Sequence, residues 1–119
     1  MEYSLRNSLM EIRIESLGAE LIGMKDLTTD IEYIWQKNPE YWAKSSPILF
    51  PFVGALKDGR YFYEGKEYNL GLKHGFARDY EFQMSDQGDD YLEFLFVSND
   101  ETKKIYPFNF KLYVKYIIK

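Results

Sequence analysis

From Leu9 to Glu15 the chain alternates, with Met10, Ile12 and Ile14 on one side and Glu11, Arg13 and Glu15 on the other. A period of two residues is the mark of a strand with one buried face. Short strands are expected again over 19–25 and 31–36, joined by the polar turn Asp26 to Asp30, where an aspartate and two threonines can bond their own backbone. Those two strands predict a hairpin. A tighter hairpin is expected around Glu64-Gly65 within 61–70, because glycine supplies the positive φ of such a turn, and it places Tyr68 and Leu70 on one face. Further strands are expected over 79–84, 91–98 and 109–119, with a polar turn from Ser85 to Asp90 and a longer connection over 100–107. No segment sustains a helical period. Asn38-Pro39 offers a single helical turn, with Asn38 as N-cap and Pro39 at the first helical position. Many short strands with frequent turn signals predict an all-β, antiparallel sandwich or barrel.

Two segments depart from simple alternation. The run from Pro47 to Gly54 is apolar but carries two prolines, Pro47 and Pro51, each lacking the backbone donor that a central strand needs. It reads either as an edge or core-crossing segment or as a pocket wall. In the final strand Phe108, Phe110, Leu112, Val114 and Tyr116 share one face, and the sequence stops at Ile117-Ile118-Lys119 without a turn or polar tail. A strand needs a neighbour for its backbone groups and a cover for its apolar face. The expectation is a chain cut short.

Composition narrows the function. The 119 residues, 45% hydrophobic and 18% aromatic, suffice for one domain with a core. Nineteen acidic against fifteen basic side chains give a net charge of −4, and the lysines are scattered, so the chain lacks the electrostatic footprint of a nucleic-acid binder. Absence of cysteine suits a reducing compartment and removes thiol nucleophiles and thiolate metal sites. The first residues carry no basic-then-apolar run, and no apolar stretch approaches the roughly 20 residues that span a bilayer. The expectation is a cytoplasmic protein that binds neither nucleic acid nor membrane.

Candidate chemistry concentrates at the one histidine, His74, in the block Lys73-His74-Gly75-Phe76-Ala77-Arg78. A residue that titrates near neutrality, closely followed by a multidentate donor, could grip a polyhydroxylated or anionic ligand. His74 could equally be a general acid or base, or a structural histidine. Other chemistries fare worse. No Gly-x-Ser-x-Gly elbow frames Ser45 or Ser46. The acidic group Asp86, Asp89 and Asp90 lacks the following glutamate of a calcium loop and reads as a solvated turn. None of the glycines opens a helix that could receive a phosphate, which disfavours nucleotide binding, and one histidine with no cysteine and scattered carboxylates gives no metal-ligand spacing, so no cofactor and no metal are expected.

An ordered set of blocks carries a resemblance. Trp35, Pro39-x-Tyr41-Trp42, Pro47-Ile48-Leu49-Phe50-Pro51-x-Val53-Gly54, Lys57-Asp58-Gly59-x-Tyr61, Gly65-Lys66-x-Tyr68, His74 to Arg78 and Tyr106-Pro107-Phe108 are similar, in that order, to the aldose 1-epimerase (galactose mutarotase) superfamily. The nearest branch comprises the aldose-epimerase-like and hexose-phosphate epimerase-like proteins. The resemblance implies a galactose mutarotase-like β-sandwich, of which residues 1–119 form the N-terminal part, and interconversion of the α and β anomers of an aldose or aldose phosphate. That reaction needs a base at the anomeric hydroxyl and an acid at the ring oxygen. In the family both lie downstream of the matched region, so no catalytic residue is assigned in this chain. By the same resemblance His74 is a substrate-binding residue and Arg78 contacts sugar hydroxyls or an anionic group. Where many relatives carry a binding arginine this chain has Ala55, so by the resemblance that contact is either lost or partly replaced by Lys57 as a substrate-binding residue. Two further readings stay open: a non-catalytic carbohydrate-binding sandwich, or an interaction domain that associates through its unpaired C-terminal strand.

Overall fold

The computed structural model describes residues 1–119. Eight strands and one short helix form three antiparallel sheets. Strands β1 (Glu2–Arg6), β2 (Met10–Glu15) and β3 (Glu20–Asp26) form the first, in sequential order. Strands β4 (Arg60–Tyr63) and β5 (Lys66–Asn69) form a two-stranded ribbon. Strands β6 (Gln83–Gln87), β7 (Tyr91–Val97) and β8 (Lys111–Ile117) form the third, with helix α1 (Asp100–Ile105) between β7 and β8.

The predicted alternation places the core. Ile12 and Ile14 of β2 and Leu92, Phe94 and Phe96 of β7 are buried, and with Leu5, Phe76, Phe82 and Ile118 they belong to one apolar cluster between the two larger sheets. Tyr3 of β1 meets Phe94 of β7 edge-on at 5.5 Å, which ties sheet to sheet. In β8, Leu112, Val114 and Tyr116 turn inward, and the Tyr116 hydroxyl donates to the Ala19 carbonyl at 2.6 Å. Its other edge carries no partner strand, and Tyr113 and Ile117 are half exposed on the outer face. The molecule is a slab of 56 × 34 × 21 Å. Its radius of gyration of 16.6 Å exceeds the about 13.5 Å of a compact chain this long. No helix is long and apolar enough to cross a membrane.

Several sequence expectations need correction. Residues 31–36 do not form a strand: one isolated bridge, Lys25 to Glu32, is all that pairs, because the Glu32 carboxylate takes the Met24 and Ile34 N–H groups at 2.6 and 3.1 Å. The strand expected over 79–84 begins at Gln83 instead. Residues Ala77–Asp79 make a 3₁₀ turn, and Tyr80 to Phe82 are held by the loop before β3, through Gly18 N–H to Tyr80 O (2.7 Å) and Phe82 N–H to Ser16 O (2.9 Å). Consequently β6 absorbs Ser85 to Gln87 of the expected turn, with a bulge between Met84 and Asp86. Within the expected connection 100–107, α1 starts on a capping box in which Asn99 and Thr102 each accept from the other's backbone N–H. Strand β1 lies outside the expected strands.

Candidate functional site

The block around His74 joins core to surface residue by residue. Phe76 is fully buried and contacts Phe50, Tyr80, Phe96, Tyr106 and Phe110 at ring distances of 5.9–6.2 Å. One residue earlier, Gly75 adopts φ +75° and lies so close to Phe50 that a Cβ would overlap its carbonyl. The Phe50 carbonyl accepts from Phe76 N–H (2.8 Å) and Ala77 N–H (3.2 Å). His74 and Arg78, on either side of this buried centre, emerge at the surface, each partly buried.

His74 itself has φ +66°, a left-handed backbone that costs a non-glycine residue roughly 1 kcal/mol. Two reciprocal bonds to Gly54 hold it there: His74 N–H donates to Gly54 O, and Gly54 N–H donates to His74 Nδ1, both at 2.8 Å. Accepting at Nδ1 assigns the neutral ring with its proton on Nε2, and no protein acceptor takes that proton. Arg78 is oriented by donating from Nη2 to the Lys73 carbonyl at 2.9 Å and has no carboxylate partner. Between them lies an open cleft of about 450 Å³ lined by Trp42, Pro47, Leu49, Lys73, His74 and Arg78. It pairs apolar surface with two basic side chains and one imidazole donor, and none of its lining residues is acidic.

The structure therefore brings His74 and Arg78 together. Lys57 lies elsewhere, exposed in the 3₁₀ turn Lys57–Gly59 and outside the residues lining the cleft. The run from Pro47 to Gly54 serves both roles left open for it. Pro47 and Leu49 face the cleft, whereas Phe50 packs on Phe76, Tyr106 and Phe110. Trp42 and Lys73 line the cleft in addition to the expected site residues. Lys73 adjoins His74, a signal available from position alone, but Trp42 reaches the cleft only through the folding of an irregular loop.

Acidic groups elsewhere in the sheets are tied into structure. The N-terminal ammonium pulls the Glu15 carboxyl below its usual range through a 2.7 Å bond. Burial opposes ionisation of Glu32, but the two backbone N–H groups and Arg13 outweigh it and lower its pKa. Burial pushes the Tyr116 phenol up to about 12.

The comparisons with known proteins place this all-β slab in a family. The aldose 1-epimerase family model matches residues 1–119, and the chain belongs to that family. It is 34% identical over 122 residues to the plasmid LacX protein of Lactococcus lactis subsp. lactis, covering 99% of this chain and 40% of LacX. A galactose mutarotase-related enzyme from Lactobacillus acidophilus superposes with a TM-score of 0.97 at 42% identity, over 100% of this chain and 39% of that one. A galactose mutarotase-like protein from Lactobacillus casei gives 0.95 at 34% identity, over 100% and 40% respectively. The fold is thus galactose mutarotase-like, and the chain spans about two fifths of the length of these relatives.

Proposed function

We propose that this chain supplies one wall of the sugar pocket of an aldose 1-epimerase-type isomerase, as the N-terminal part of one mutarotase-like sandwich acting in the cytoplasm. The observation that carries the reading is the pairing of His74 Nε2–H with the Arg78 guanidinium across a cleft whose apolar side is Trp42, Pro47 and Leu49. Hydroxyls of an aldose accept from the two donors while the less polar ring face lies on the indole. The cations Lys73 and Arg78 suit a phosphate on the same sugar. In this reading His74 orients the sugar, because its Nδ1 is already engaged by Gly54 and its ring is committed as a donor.

Ring opening and closure demand an acid and a base, which the proposal assigns to no residue of this chain. Galactose, glucose and their 6-phosphates are titrated against the chain while anomer exchange is followed by NMR. Saturable binding without faster exchange is expected from the chain, and faster exchange from a form extended to the length of its relatives. An extended form that accelerates no hexose and no hexose phosphate refutes the enzymatic reading.

A strand-pairing role is the second reading, favoured by the open edge of β8 with Tyr113 and Ile117 exposed beside it. Concentration-dependent dimers in sedimentation support that role, and a monomer throughout opposes it.

A further inference from the structure

We infer that Glu20 is a positioning residue for the Trp42 wall of the cleft, acting through Lys37 and Ser45. The inference rests on the sugar-pocket reading above. Glu20 opens β3 and is only 3% exposed. A carboxyl group so buried needs charged and hydrogen-bonding partners to offset its lost hydration. Both partners come from one irregular loop: Lys37 Nζ lies 2.8 Å from Oε2, and Ser45 N–H donates to Oε1 at 3.1 Å. Lys37 is on the arm entering the loop and Ser45 on the arm leaving it, with Trp42 between them.

That loop has little else of its own. Apart from a turn in which Tyr41 N–H and Trp42 N–H reach the Asn38 carbonyl, it forms no regular structure. Trp35 Nε1 donates to the Trp42 carbonyl at 2.7 Å, and Ser45 Oγ donates to the Trp35 carbonyl, so the two arms are laced together. Ser46 Oγ and Gln36 Nε2 then bond the Leu21 and Ile22 carbonyls of β3, at 2.7 and 3.0 Å. Glu20 is the group that grips both arms at once. Lys37 moreover holds a left-handed backbone, φ +55°, which its ion pair with Glu20 helps to maintain. Glu20 does not touch the cleft. Its effect reaches a ligand only through where the loop places the indole.

The test uses the chain labelled with fluorotryptophan, its two ¹⁹F resonances assigned with Trp35→Phe and Trp42→Phe. Glu20→Ala removes both bonds, Glu20→Gln keeps an acceptor for Ser45, and Lys37→Met removes only the ion pair. Asn99→Ala, which uncaps α1, serves as a control for general destabilisation. The expected result is a shifted or broadened Trp42 resonance in Glu20→Ala, with an affinity for galactose or glucose 6-phosphate reduced about fivefold or more. Glu20→Gln and Lys37→Met should show smaller losses, and Asn99→Ala none. Should Glu20→Ala not fold, the two milder variants decide the matter. An unmoved Trp42 resonance with unchanged affinity overturns the inference. If the unsubstituted chain binds neither sugar, the pocket reading has failed, and the ¹⁹F shift alone judges the positioning role.

Discussion

Replacing Gly75 with alanine tests how the core holds His74 at the surface. The new Cβ would overlap the Phe50 carbonyl and come within 2.6 Å of Pro51 N. Both are backbone atoms and cannot rotate aside. The left-handed conformation costs alanine about 1 kcal/mol. Forcing the Phe50 carbonyl away weakens its bonds from Phe76 and Ala77 N–H, together about 1–2 kcal/mol. Displacing the packed segment adds roughly 1–2 kcal/mol of overpacking. The sum, about 4 kcal/mol, is a large part of the 5–15 kcal/mol that typically holds a domain folded. Gly65 is the control, because it has nearly the same φ, +77°, with nothing within 4 Å of its Cβ position. Gly65→Ala should therefore cost about 1 kcal/mol. Urea unfolding followed by tryptophan fluorescence and far-UV circular dichroism reads the difference. With a slope of about 1.5 kcal/mol/M, the midpoint falls by about 2.7 M for Gly75→Ala and about 0.7 M for Gly65→Ala. Failure of Gly75→Ala to fold, with Gly65→Ala folded, agrees with the argument. Equal midpoints for the two variants would refute it.

Other outcomes follow from the same contacts. His74→Asn offers Oδ1 to the Gly54 N–H and tolerates φ > 0, so it should hold stability within about 1 kcal/mol while losing sugar binding; His74→Ala should lose both, read by melting and titration. Arg78→Ala should weaken glucose 6-phosphate more than galactose, and Arg78→Lys should recover only part of the loss, because a single ammonium cannot donate bidentately. The lowered carboxyls of Glu15 and Glu32 contribute stability that is present above their unfolded value of 4.5 and is lost as pH falls through their lower folded values; Glu32→Gln should flatten that acid limb of a melting profile. Tyr116 behaves oppositely. Its phenol stays protonated in the fold up to about 12, so stability falls as pH rises from its ordinary value of 10 toward 12, and Tyr116→Phe should shrink that alkaline limb.

Much of the fold is legible where burial is one-sided. The alternation in β2, β7 and β8 places Ile12, Ile14, Leu92, Phe94, Phe96, Leu112 and Val114 inside, because a period of two leaves a strand no other way to bury them. The Glu64-Gly65 hairpin and the Asp26 turn are equally local, and in the latter Asp26 Oδ1 takes the N–H of Thr28 and of Thr29, as expected. Failures occur where a side chain replaces a backbone partner. Residues 31–36 have strand-like composition, yet the Glu32 carboxylate satisfies two N–H groups that a ladder would otherwise take. Helix α1 shows no apolar period because Asn99, Thr102 and its end charges define it, and Thr102 is its one buried residue. At the site, His74 and Arg78 stand out by chemistry and spacing. Trp42 does not, since the irregular loop that carries it is tied at Ser45 to Glu20, 25 residues earlier in the chain.

The claim that the His74–Arg78 cleft is a sugar-binding wall is tested most directly by amide and indole chemical shifts of the ¹⁵N-labelled chain titrated with galactose and with glucose 6-phosphate. Saturable shifts at Trp42 Nε1, His74, Gly75 and Arg78, abolished by His74→Asn, are predicted. Absence of shifts with either sugar would contradict it, as would shifts centred on the apolar hollow formed by Leu9, Met10, Met24 and Tyr33.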